Sequence, residues 1–95
     1  MEHLKLKIQH YIKNGCEGDL NLEGTPIERL PENLKKVGGD LNLSHSKIKT
    51  ISNDLHVDGC LYIEDTPLSK KYTIEELENM LIRIQGNIFT DGFYT

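Results

Sequence analysis

The sequence predicts a solenoid of short parallel β-strands joined by irregular return legs, with a helix and a strand closing its C-terminal end. The main observation is a glycine-initiated pentapeptide that occurs three times, as GDLNL at residues 18–22, GDLNL at 39–43 and GCLYI at 59–63. Apolar and polar residues alternate within each copy, which is typical of a strand with one buried face. Stacking such units buries a continuous core that no single unit could bury alone.

The apolar residues occupy equivalent positions in each repeat. Two residues before the glycine stand Cys16, Val37 and Val57; two and four residues after it stand Leu20, Leu41 and Leu61, and Leu22, Leu43 and Ile63. A hydroxyl-bearing and an aliphatic residue follow, as Thr25 and Ile27, Ser46 and Ile48, and Thr66 and Leu68. Because the residues of each column are similar in size, we expect the columns to stack and form the core.

Together these positions follow the pattern Leu-x-Leu-x-x-Ser/Thr-x-Ile-x-x-Leu/Ile, which resembles a leucine-rich repeat of the short type, about 20 residues long. In that family parallel strands line the concave face of a coil. The family normally has Asn at the turn, where this chain has Thr25, Ser46 and Thr66. A hydroxyl group can also bridge backbone groups. The resemblance implies a leucine-rich-repeat solenoid.

A more specific resemblance covers residues 15–95. The GDLNL repeats, the sequence TPLSKKY at residues 66–72 and the closing helix resemble small leucine-rich-repeat proteins encoded by bacteriophages. This resemblance implies a viral protein in the host-cell cytoplasm, which binds and inhibits a host protein such as a nuclease or a defence factor.

Both ends of so short a stack need caps. We expect a single domain over residues 1–95, with an N-terminal cap at 1–14, repeats at 15–72 and a C-terminal cap at 73–95. In the C-terminal cap, Thr73 and Glu76 form a capping box. Apolar residues at helical spacing follow, which predicts a helix over residues 74–84 and then a fourth strand over 86–90. Ile84 is expected to extend the Val57 column, and Ile88 the Leu61 column.

The N-terminal segment fits two structures. Leu4, Ile8, Tyr11 and Ile12 have the spacing of a helix laid over the first repeat, whereas Leu4, Leu6 and Ile8 would suit a strand. We favour the helix because Asn14-Gly15 resembles a helix stop.

Composition limits the classes of function. The net charge of −4 argues against a nucleic-acid backbone as the partner, since phosphate contacts need concentrated Lys and Arg. The only basic cluster is formed by Lys35, Lys36, Lys47 and Lys49, which we interpret as a solvated rim. No apolar run approaches the roughly 18 residues of a membrane span, and the N-terminus has no signal-peptide h-region. Two cysteines are too few for a disulfide framework. A cytoplasmic protein without membrane contact is expected.

No catalytic or cofactor-binding constellation is found in the sequence. The chain has no Ser-His-Asp set and no glycine-rich phosphate loop. His45, His56 and Cys60 do not have the spacing of a zinc module. Cys16 stands in a core column and is expected to be buried, while Cys60 stands in an outward column and is expected to be exposed. The sequence therefore predicts no catalytic residues, no metal site, no cofactor and no enzyme.

The outward positions of the strands form three columns. From the first repeat to the last they are Asp19, Asp40, Cys60 and Asn87; Asn21, Asn42, Tyr62 and Phe89; and Glu23, Ser44, Glu64 and Asp91. This surface holds five carboxylates, no Lys or Arg, and two neighbouring aromatic residues. Such acids can serve solubility while the aromatic rings cover a thin core, but aromatic anchors among polar groups are typical of interfaces. The predicted partner-binding residues are Tyr62, Phe89, Asn42, Asp19, Asp40, Glu23, Glu64 and Asp91.

The sequence thus favours a non-enzymatic module whose sheet face binds a protein with a basic surface. The alternative is a structural or assembly protein that forms homo-oligomers through open sheet edges or the aromatic patch.

Overall fold

The computed structural model describes residues 2–91, which form an α/β fold with open parallel sheets. The elements follow the order α1 (Glu2–Lys13), β1 (Leu20–Asn21), β2 (Lys36–Val37), β3 (Leu41–Asn42), β4 (His56–Val57), β5 (Leu61–Tyr62), α2 (Pro67–Lys71), α3 (Ile74–Met80) and β6 (Ile88–Phe89). No helix in residues 2–91 has both the length and the apolar character needed to cross a bilayer.

Two parallel sheets run through the repeats. The larger one has the strand order β1-β3-β5-β6, and Leu41 pairs with Leu20 on one side and Leu61 on the other. Leu61 pairs in turn with Ile88. The smaller sheet joins β2 to β4, and a single bridge connects Val57 to Ile84. The predicted register is therefore confirmed, including the positions of Ile84 and Ile88.

The core consists of the predicted columns. Side chains without exposed surface include Leu22, Val37, Leu41, Leu43, Val57, Leu61 and Ile63. Cys16 differs from the prediction, because it is only half-buried. It lies in the left-handed turn that follows α1, with φ 58°, and not in a strand.

The hydroxyl groups at the turns bind the backbone in the same way in each repeat. The side chains of Thr25, Ser46 and Thr66 each donate to the carbonyl oxygen three residues earlier, at 2.8, 2.6 and 2.6 Å. These hydrogen bonds satisfy carbonyl groups at the point where each strand ends. Hydroxyl side chains therefore bridge backbone groups at these turns, as the sequence suggests.

The N-terminal segment is helical, so the preferred alternative is confirmed. Ile8 of α1 is buried against the first repeat, with Leu4 and Ile12 partly buried beside it. The Tyr11 hydroxyl lies 2.8 Å from the carbonyl oxygen of Gly18 and accepts a hydrogen bond from the Gly38 N–H at 3.1 Å. This side chain joins the helix to the first two repeats.

The C-terminal helix is shorter than predicted. The Thr73 hydroxyl accepts from the Glu76 N–H, and the Glu76 carboxylate accepts from the Thr73 N–H, which confirms the capping box. The helix ends at Met80 instead of residue 84. Beyond it, the Val57 N–H donates to Arg83 O and the Gln85 N–H donates to Val57 O, because residues 83–85 pair with β4. Residues 92–95 of the predicted C-terminal cap lie outside the described residues.

The repeat pattern does not predict α2. Thr66 is its N-cap, Pro67 begins the helix, and Ser69 completes a second capping box with Thr66. An N-cap residue followed by proline is a recognised helix start, so the signal was present in the sequence.

We expect Leu41→Ala to lower the free energy of unfolding by about 2–5 kcal/mol, because it empties a fully buried site in the central strand. Chemical denaturation measures the change. Lys47→Ala, at an exposed position, should stay within about 0.5 kcal/mol of the wild type. Equal losses in the two variants would contradict the register.

Candidate protein-binding face

Strand pairing brings Tyr62 and Phe89 together on the outward surface of the sheet. Tyr62 pairs with Asn42 in β3 and with Phe89 in β6. The two rings are stacked, with centroids 4.8 Å apart and an angle of 9° between their planes. Paired residues of neighbouring strands lie about this far apart and point to the same side, so flat side chains stack. Their predicted adjacency is confirmed.

The aromatic pair is partly open to solvent. Tyr62 is half-buried, and Phe89 keeps 39% of its surface exposed. Desolvation raises the pKa of the Tyr62 phenol, and the negative charges of nearby groups, first Asp40, raise it further. The rings therefore combine apolar area with a negatively charged environment. We refer to the outward surface of β1, β3, β5 and β6 as the acidic face.

Two of the predicted binding carboxylates also hold the repeats together. Asp19 accepts a hydrogen bond from the Asp40 N–H at 2.7 Å, and Asp40 accepts one from the Cys60 N–H at 2.8 Å. The series ends at Cys60, which has no carboxylate oxygen to accept the next one. Each aspartate thus presents only part of its hydrogen-bonding capacity to a partner.

Glycine makes this contact possible. A Cβ atom at Gly39 would stand 2.2 Å from Oδ1 of Asp19, and one at Gly59 would stand 2.1 Å from Oδ1 of Asp40. Neither space can hold a methyl group. The Gly-Asp dipeptide therefore holds successive repeats together, in addition to any role in binding.

Asn42 lies at the centre of the acidic face. Its side-chain oxygen accepts from the Ser44 N–H at 3.0 Å, and its amide nitrogen lies 3.4 Å from a Glu23 carboxylate oxygen. Ser44 differs from the prediction of an outward side chain, since only 6% of its surface is exposed. Its hydroxyl turns into the sheet and accepts from the Glu64 N–H at 3.2 Å.

The carboxylates of Asp91 and Glu64 differ in how many hydrogen bonds they already accept. Asp91 accepts hydrogen bonds from the Asp65 N–H and from the Ser69 hydroxyl, both at 2.8 Å. Glu64 is exposed, and its carboxylate makes no hydrogen bond or ion pair within residues 2–91. Glu64 is therefore the carboxylate most available to a partner beside the aromatic pair.

One cation reaches the edge of the acidic face, although the outward columns contain none. Lys7 of α1 donates a hydrogen bond to the backbone oxygen of Asn21, on the outer edge of β1. The repeat pattern could not reveal this contact, because it depends on how α1 packs against the first repeat.

The turns at the end of the strands carry a second charged cluster. Gly24, His45 and Asp65 occupy equivalent positions and all have positive φ angles, of 71°, 61° and 53°. This stacking places Nδ1 of His45 3.0 Å from Asp65, whose other carboxylate oxygen is 3.3 Å from Lys70. The hydrogen bond to Asp65 raises the pKa of His45, and the one from His45 lowers the pKa of Asp65.

The acidic face combines an aromatic pair, amide groups and carboxylates of differing availability. Within residues 2–91, no three His, Cys, Asp or Glu side chains are grouped so that they could hold a metal ion. Cys60 was expected to be exposed, but it is half-buried. His56 lies 3.0 Å from Asp58.

No protein-family model, curated protein or solved structure matches the chain.

Asp40→Ala should lower the free energy of unfolding by about 1–2 kcal/mol, because it leaves the Cys60 N–H without its acceptor. Glu64→Ala is the matched control and should change it by less than about 0.5 kcal/mol. Urea denaturation of both variants measures the difference. If Asp40→Ala is as stable as Glu64→Ala, the aspartate contact does not stabilise the stack.

The pair His45–Asp65 predicts a pH-dependent contribution to stability. Because the pKa of His45 is raised in the folded protein, protonation of this side chain stabilises the fold at pH values below its ordinary pKa of 6.5. This contribution is lost as the pH rises through the raised pKa. His45→Gln should therefore lower the thermal midpoint at about pH 5.5 and leave it nearly unchanged at about pH 8.5. Asp65→Asn should remove the same pH-dependent part of the thermal midpoint, because it takes away the carboxylate that His45 contacts. A His45→Gln effect that is equal at both would contradict the interpretation.

Proposed function

We propose that this chain is a small leucine-rich-repeat solenoid of the kind encoded by bacteriophages. We further propose that it acts as a non-enzymatic binding module in the host cytoplasm, with the acidic face engaging a protein that has a basic surface. Membranes and nucleic acid are not its partners in this proposal.

The repeat geometry supports the solenoid. Equivalent residues of successive repeats pair in parallel in both sheets, and hydroxyl groups occupy equivalent turn positions. The helices α1 and α3 lie at the two ends of the chain's repeats, where a stack of repeats needs caps.

The observation that carries the binding proposal is the stacked, partly exposed pair Tyr62–Phe89 among carboxylates. Aromatic side chains contribute large contact areas at small entropic cost, and they are enriched among the residues that dominate interfaces. The surrounding acids would attract a basic partner and exclude an acidic one.

An inhibitory role follows from the same charge. A surface that carries Asp and Glu at strand spacing can occupy a basic site that normally holds nucleic acid. A host nuclease or a nucleic-acid-binding defence factor has such a site, so the proposed partner belongs to that class.

The second candidate function is self-assembly through β6. Lys7 covers part of the outer edge of β1, whereas no strand in the described residues lies beyond β6. An open edge can pair with a second copy. Two acidic faces would repel each other, which favours an unlike partner for the face itself. A molecular mass that rises with protein concentration would support this second function.

Tyr62→Ala should weaken binding to the partner by more than about 1 kcal/mol without unfolding the protein, because the ring stands on the outward face. Glu64→Lys should mainly slow association, most visibly at low salt. The experiment is affinity capture from host lysate with the wild type and the variants in parallel, followed by titration of each protein that the wild type retains.

Ile82→Ala is the matched control, since Ile82 is an apolar residue, 74% exposed, that follows α3 and belongs to none of the outward columns. It should capture the same protein as the wild type. Charge reversal at Lys47 and Lys49 tests the opposite result: if it abolishes capture while Tyr62→Ala does not, the working surface lies on the return legs.

A further inference from the structure

His45 stands where the acidic face ends. It directly follows Ser44, and its N–H donates to the carbonyl oxygen of Glu64 at 2.8 Å. The hydrogen bond to Asp65 is the main cause of the raised pKa of His45, and the charges of Glu23 and Glu64 add to it. Because the attraction between charges is mutual, a proton on the imidazole also changes the potential at these carboxylates.

Asp65 holds the imidazole in this position. Nδ1 of His45 lies 3.0 Å from one oxygen of Asp65, and the Lys70 ammonium lies 3.3 Å from the other. The Asp91 carboxylate accepts the Asp65 N–H at 2.8 Å, so the turn is also tied to the end of β6. The side chains of His45 and Asp65 are both more than half exposed, which lets protons exchange freely with solvent.

The charged groups around His45 come from every element beside it. They are Lys47 in the same turn, Glu23 before the turn of the first repeat, Glu64 and Asp65 at the end of β5, Lys70 in α2 and Asp91 after β6. Lysine and carboxylate side chains ordinarily keep their charge across neutral pH, whereas histidine does not. Within this group, the charge near neutral pH therefore changes at His45.

We propose that His45 regulates the acidic face through its charge, so that protonation of the imidazole weakens binding of a basic partner. A protonated imidazole cancels part of the negative potential of Glu23 and Glu64 and repels cations that approach them. Neutral His45 leaves that potential at full strength. This inference rests on the proposed function, since it concerns the regulation of the same surface.

The direction of the pH dependence follows from the sign of the pKa shift. The pKa of His45 is raised above its ordinary value of 6.5, so the imidazole is mostly protonated at about pH 6 and mostly neutral at about pH 8.5. Binding of a basic partner should therefore strengthen as the pH rises through this range. A His45–Asp65 pair that only stabilises the turn would change the stability of the fold and leave binding unchanged.

The test uses the full chain and an end-blocked peptide with three arginines separated by glycines, because arginine keeps its charge across this pH range. Binding is followed by NMR through the backbone amides of the acidic face. At low salt we expect the peptide to bind about two- to fourfold more tightly at about pH 8.5 than at about pH 6.

A second measurement is independent of the affinity. The imidazole of His45 is titrated by NMR with and without saturating peptide. Since coupling between two binding events is reciprocal, the peptide should lower the pKa of His45 by the logarithm of the same factor.

Three variants assign the effect to one histidine. His45→Gln should bind the peptide equally at both pH values, with the affinity of the wild type at the higher pH. His45→Lys should bind weakly at both, because its charge is permanent. His56→Gln is the matched control, since His56 also lies 3.0 Å from a carboxylate but belongs to β4 of the smaller sheet, and it should keep the pH dependence of the wild type.

The outcomes separate this inference from the proposed function. Equal affinity of the wild type at both pH values overturns the regulation and leaves an acidic binding face. A pH dependence that survives His45→Gln also overturns it, as does a pKa of His45 that the peptide leaves unchanged. If the peptide shifts no resonance of the acidic face at either pH, both proposals fail.

Discussion

Close contact between glycine and aspartate of successive repeats is the constraint on which the rest of the structure depends. The Asp19 carboxylate reaches the Asp40 N–H, and Asp40 reaches the Cys60 N–H, only because Gly39 and Gly59 have no side chain in the intervening space. These contacts align equivalent residues of neighbouring repeats. Once they are aligned, the period-two alternation places every leucine column inside the molecule, where burial of apolar surface stabilises the fold.

The same alignment creates the acidic face and determines how its charge is distributed. Residues at one position of successive strands lie one strand spacing apart, so the rings of Tyr62 and Phe89 stack at 4.8 Å. The aspartates of the first two repeats use part of their capacity on backbone N–H groups, whereas the Glu64 carboxylate makes no such contact within residues 2–91. The aromatic area and the most available carboxylate therefore meet at β5 and β6, the C-terminal side of the sheet.

The two edges of the larger sheet are treated differently. On the β1 side, α1 contributes Ile8 to the core, Tyr11 to the backbone of Gly18 and Lys7 to Asn21. On the β6 side, α3 contributes the buried Leu77 to the core, and within residues 2–91 no strand follows Phe89. An edge covered by a charged side chain resists further pairing. Among residues 2–91, this asymmetry leaves the aromatic end of the acidic face as the less covered one.

The sequence by itself determined the strand register, the core columns, the α3 capping box and the adjacency of Tyr62 and Phe89. These features follow from local alternation, from helix-start chemistry and from a fixed offset between repeats, all of which can be counted along the chain. Tertiary structure decided the end of α3 at Met80, the half-buried position of Cys16, the burial of Ser44 and the pairing of His45 with Asp65. It also decided that Asp19 and Asp40 bind the backbone of the next repeat. Each of these depends on backbone geometry at a turn or on a hydrogen bond to another repeat, and neither is encoded in the periodicity of a single segment.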